Sequence, residues 1–172
     1  MLFMALSALA GLSVAGMGCG RSPLEPNVYR SGSIAFRTPD PPTSWKSLHV
    51  PDASMAFRDE AHDASALVNA RCATLDTDTP LTALTLHLLI GTTEREIAEQ
   101  AVEAMDGREA LHTRLTAKLD GVPRAFDVFV LKKDGCVYDF VYVGAPRAVE
   151  PGIPEFQAFV RGFHTLRGSG AP

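Results

Sequence analysis

The sequence predicts an α/β fold of the α+β type, in which an antiparallel sheet ends in a three-strand meander and carries helices on both faces. Three observations lead there. The dipeptides Asp106-Gly107, Asp120-Gly121 and Asp134-Gly135 recur at a constant spacing of fourteen residues, and Asp-Gly between alternating runs is a strong hairpin signal. The runs after the second and third turns are apolar on both faces: Phe126, Val128 and Val130 against Phe129 and Leu131, then Cys136, Tyr138, Phe140 and Tyr142 against Val137, Val141 and Val143. Such strands sit centrally in a sheet that is covered on each side. Finally, Phe156, Phe159, Val160 and Phe163 fall at helical spacing after Pro154, a stripe suited to packing on that sheet.

The chain opens with an uncharged apolar run from Met1 to Gly18 that stops at Cys19. Leu2, Phe3, Leu6, Leu9 and Leu12 form an apolar core of export-signal length, and Gly16 and Gly18 leave a narrow site for a signal peptidase. Gly16-Met17-Gly18-Cys19 resembles the lipobox of bacterial lipoproteins, although Gly16 stands where an aliphatic residue is usual and no basic residue precedes Arg21. The expected organisation is a signal peptide at 1–18, a lipidated tether at 19–27 with Pro23 and Pro26, and one folded domain at 28–168. An uncleaved anchor, at the lower limit of about 17 apolar residues, and simple secretion are the competing readings.

Within the domain, Tyr29 to Arg37 can form a strand, and Thr38 to Thr43, with three prolines, an extended loop. Trp45 to Val50 is extended and turns at Pro51-Asp52 into Met55 and Phe57. Ser65 to Leu75 fits either a helix, through Leu67, Val68, Cys72 and Leu75, or one face of a strand, through Ala66, Val68, Ala70 and Cys72. Thr79 as N-cap, Pro80 at the first helical position and Gly91 as stop bracket a helix whose Leu81, Leu84 and Leu88 share a face. Thr93 and Glu96 form a capping box that predicts a second helical stretch toward Val102. From Arg108 to Leu119 the alternation places Leu111, Thr113, Leu115 and Ala117 inward, with Ala110, His112, Arg114 and Lys118 on a wet face. The terminal helix is expected to run until just before Gly168.

A domain of roughly 150 residues can bury a proper core. The net charge of −4, without a basic patch, argues against nucleic acid as a partner. Of the three cysteines, assigning Cys19 to lipid leaves Cys72 and Cys136. These either pair in an oxidising compartment or stay as two buried thiols.

Common catalytic patterns are missing. Ser31-Gly32-Ser33 is the nearest approach to a nucleophile elbow, and there is no His-Glu-x-x-His, phosphate loop or dinucleotide fingerprint. No catalytic residue, metal site or cofactor is therefore expected. Asp59, Glu60, His62 and Asp63 gather cation ligands but read better as a solvated hairpin turn. Asp76 and Asp78 suit capping and turn formation. Asp139 is different, since it lies on the valine face of a strand apolar on both sides, where a lone carboxylate is costly. It needs Arg, Tyr or a helix N-terminus, or it is a ligand-contacting acid.

The order of elements, with the words Asp106-Gly107-Arg108-Glu109-Ala110-Leu111 and Cys136-Val137-Tyr138-Asp139-Phe140, resembles the PsbP-like fold. The same words are similar to those of small bacterial envelope lipoproteins of the delta-proteobacterial type. The resemblance implies a three-layer α/β/α sandwich in which Ser65 to Leu75 is a strand, and a family of assembly factors, extrinsic subunits and binding modules. The expected function is that of a non-enzymatic lipoprotein, held to the membrane through Cys19 in the bacterial envelope and binding an envelope protein. An enzyme with an uncommon hydrolytic site and a carrier of a small apolar ligand are the alternatives, and secretion is the alternative location.

Overall fold

A computed structural model describes residues 27–72 and 78–166. The signal segment, Cys19, Asp76 and Gly168 lie outside the described residues. The elements in order are β1 (Val28–Ser31), β2 (Ile34–Arg37), β3 (Trp45–Leu48), β4 (Met55–Asp59), β5 (Ala64–Cys72), α1 (Leu81–Leu88), β6 (Thr92–Met105), β7 (Arg108–Leu119), β8 (Val122–Lys133), β9 (Cys136–Gly144), α2 (Pro146–Val149), a short 3-10 turn at Glu150–Gly152, α3 (Ile153–Arg161) and β10 (His164–Thr165). Seven strands form one antiparallel sheet in the order β3-β4-β5-β9-β8-β7-β6, and β1, β2 and β10 form a second.

The Asp-Gly turns behave as expected. Asp106, Asp120 and Asp134 take φ of 47°, 50° and 52°, each followed by a glycine at 75–77°, the paired left-handed conformation of a type I′ hairpin. Three such turns join four strands, however, and the segment before the first is β6, not the predicted second helix. Glu94, Glu96, Ala98, Glu99 and Ala101 are good helix formers, but propensity is a weak prior, and pairing along β7 from Thr92↔Leu119 to Met105↔Arg108 overrides it. The stretch that suited either state is strand β5, because every residue from Ala64 to Cys72 has a partner on β9.

Helices cover both faces. Leu84 of α1 and Leu89 pack with Leu115, Val128, Val130 and Val137 on one side. On the other, Phe156, Phe159 and Val160 of α3 pack with Phe140, Tyr142, Phe57 and Trp45, and Phe36 of the small sheet joins them. The terminal helix stops earlier than expected, at Gly162, where a Cβ would collide with the ring of Pro39. Thr79 does not cap α1; its carbonyl accepts from Lys132 Nζ at 2.9 Å, and Pro80 is the N-cap residue.

The small sheet is pinned to the large one through Asp106. Its Oδ2 accepts from Lys133 Nζ at 2.7 Å and from the Thr165 N–H at 2.9 Å and hydroxyl at 2.8 Å. Burial alone would raise its pKa, but Lys133 and Thr165 outweigh that and hold the carboxyl at about 2.

Candidate functional site

Cys72 and Cys136 form a disulfide. They stand opposite each other in the β5–β9 register, so the ladder itself brings the sulfurs together. Nearby, Asp139 is fully buried and accepts a charge-assisted bond from Arg71 across the same ladder, with Asn69 directly opposite. The guanidinium meets the need that the sequence identifies at this position.

Two further buried acids form larger groupings. Asp127 of β8 and Glu103 of β6 clamp His112 of β7: Nε2 lies 2.6 Å from Asp127 Oδ1 and Nδ1 2.9 Å from Glu103 Oε1. Gln157 of α3 donates to Asp127 Oδ2 at 2.9 Å, and the imidazole stacks on Phe129 at 4.0 Å. His112 is 3% exposed, so its predicted place on a wet face is wrong. The face is wet only where α3 does not reach, and Gln157 and Arg161 close it over β6 to β8. Both ring nitrogens are held by carboxylates, which leaves neither to take a proton from a substrate hydroxyl.

The other grouping lies at the turn after β4. Asp59 is 0% exposed, a correction to the expected solvated turn. It continues the inward parity of Met55 and Phe57 and sits opposite Trp45 and Ala64 in the sheet. Its Oδ1 accepts from the Ala61 N–H at 3.1 Å; its Oδ2 accepts from the Tyr142 hydroxyl at 2.7 Å and meets His62 Nδ1 at 2.8 Å. Burial favours protonating Asp59, but Tyr142 and His62 outweigh it and hold the carboxyl below its usual range. Burial, reinforced by the Asp59 charge, pushes the Tyr142 phenol upward.

Glu155, in the first turn of α3, completes this group: one ligand atom each from Asp59, His62 and Glu155 lies within 4.8 Å of the others. Gly152 makes that approach feasible, since a Cβ there would collide with the Tyr142 hydroxyl and come within 2.8 Å of His62 Nδ1. Asp63, exposed, pairs with Arg58 instead, and Glu60 with Lys46 at 2.7 Å. Of the four clustered ligands in the sequence, the fold therefore selects Asp59 and His62 and adds Glu155. A separate cleft of about 230 Å³, lined by Arg108, Lys132, Lys133 and the disulfide residue Cys136, opens at the opposite end of β9.

No protein-family description and no curated protein sequence matches the chain. Solved structures do match. Cyanobacterial PsbP (CyanoP) from Synechocystis is similar with a TM-score of 0.57 at 15% identity, covering 87% of this chain and 98% of that one. The fold is PsbP-like. LpqN, involved in cell envelope biogenesis of Mycobacterium tuberculosis, shares the PsbP-like arrangement at TM-score 0.56 and 12% identity, over 80% of this chain and 86% of its own. Protein PA94 of Pseudomonas aeruginosa, of unknown function, matches at TM-score 0.52 and 12% identity, over 84% and 95%.

Proposed function

We propose that this chain is a non-enzymatic envelope module, exported by 1–18, anchored by lipid on Cys19, that binds a partner protein by strand addition at β6. The observation that carries the reading is the outer edge of the large sheet. β6 lies last in the strand order, and residues Thr93 to Val102 are exposed throughout. Ile97 and Val102 are 56% and 59% exposed. An edge of this length offers a row of backbone donors and acceptors to another strand. Four glutamates against one arginine along β6 disfavour pairing with a like copy and favour an extended segment carrying Lys or Arg.

Other features support the same setting. The cross-strand disulfide suits an oxidising compartment, and LpqN shows that this fold occurs in a protein of envelope biogenesis. Among the described residues no helix is long and apolar enough to cross a membrane; the attachment this reading uses is Cys19. The hydrolytic reading gains nothing from His112, whose nitrogens are both taken. The carrier reading gains nothing from the space between sheet and α3, which Phe140, Phe156 and Phe163 fill.

Two measurements test the proposal. A photo-crosslinking residue at Ile97 or Val102 is expected to capture one partner peptide rich in Lys or Arg, lost on Glu96→Lys/Glu99→Lys and not captured from Ser47 on the opposite edge. Equal capture from all three positions, or none, refutes strand addition. Labelled palmitate is expected to enter the wild-type chain in a bacterial host and not Cys19→Ala; equal labelling of both refutes the anchor.

A further inference from the structure

We propose that Asp59, His62 and Glu155 form a binding site for a divalent transition metal, with zinc as the best fit. The three ligand atoms come from the end of β4, the following turn and the first turn of α3, and all lie within 4.8 Å of one another. Imidazole and carboxylate donors bind zinc at about 2.0–2.2 Å, which places two ligands of one ion roughly 3–4 Å apart. Glu155 needs only a side-chain rotation on the exposed first turn of α3, while His62 and Asp59 separate slightly from their present 2.8 Å.

One observation independent of the ligand set points the same way. Trp45 stands opposite Asp59 in the β3–β4 register, and its Nε1, on a side chain 6% exposed, has no hydrogen-bond partner among the described residues. A buried donor without an acceptor is costly, and a water or hydroxide on an ion beside Asp59 would supply one. Tyr142 and the Ala61 N–H orient the Asp59 carboxylate from behind, the supporting arrangement that metal-bound carboxylates use.

The donor set selects the ion. One imidazole and two carboxylates suit zinc, whereas calcium asks for six to eight oxygens and magnesium for an octahedron largely of water and oxygen. On binding, His62 presents its Nδ1 lone pair to the ion and carries its ring proton on Nε2. Two carboxylate charges then neutralise the cation, and the fourth position is open to solvent. The ion would join the β4–β5 turn to the start of α3.

Titration calorimetry on tag-free, chelator-treated protein tests this, with zinc chloride as probe and calcium and magnesium chlorides as comparisons. The expected result is one zinc per chain, no saturable calcium or magnesium binding, and a visible Co²⁺ spectrum of low coordination number. Glu155→Gln, at an exposed position, should weaken zinc by more than about tenfold, and His62→Gln should abolish it, with both metal-free variants keeping wild-type circular dichroism. No saturable zinc binding below 100 μM, or wild-type affinity in both variants, overturns the proposal.

Discussion

Breaking the Cys72–Cys136 bridge is expected to lower the unfolding free energy by about 4 kcal/mol, the chain-entropy value for a loop of this length. The bridge closes 64 residues of sequence, a segment that includes α1, β6, β7 and β8, so the unfolded chain gains a large set of conformations when it opens. In the folded protein the cost is small, because β5 and β9 remain paired through nine residues on each side of the ladder. Urea unfolding with and without reductant, and of the Cys72→Ala/Cys136→Ala variant, measures it. Equal midpoints under both conditions would show that the bridge contributes nothing.

His112→Leu is expected to cost about 3–5 kcal/mol, since it leaves Asp127 as a buried carboxylate without its cation. It should also change how stability depends on pH. Burial by itself would lower the pKa of His112, but hydrogen bonds and charge from Asp127 and Glu103 outweigh burial and raise it. The unfolded imidazole titrates near pH 6.5, to within about half a unit. The contribution of protonated His112 is therefore fully present below about pH 6.5 and is lost as pH rises through the higher folded value. The stability of the wild-type protein should fall as pH rises across that window, and His112→Leu should be flat there. Equal slopes in the two proteins would refute the assignment, and Asp127→Leu added to His112→Leu should recover part of the loss.

The buried acids show how far a sequence argument reaches. The reasoning that singles out Asp139, a carboxylate inside a strand apolar on both faces, applies equally to Asp127 between Ala125 and Phe129, and to Asp59 after Met55 and Phe57. Parity marks Asp139 and is compatible with an inward place for the other two, but the polar cluster around Asp59 makes that residue read as part of a solvated turn. Parity could not say what each would meet, because Arg71, His112 and Tyr142 reach them across strands from distant parts of the chain.

Turn chemistry and period-two burial are local, and so the sequence alone determined the hairpins at Asp120-Gly121 and Asp134-Gly135, the central strands β8 and β9, the helix around Leu84 and the terminal helix. Only the tertiary structure decided that Thr92 to Met105 is a strand, because its helix-forming residues lose to a ladder with β7 that runs from Thr92 to Met105 with two bulges. The same holds for the face of His112, dry because α3 returns over it, and for the company of Asp59 and His62, which Glu155 joins from 93 residues further along the chain than His62. Local conformation depends on neighbours in sequence; burial and ligand geometry depend on which surfaces the chain folds against each other.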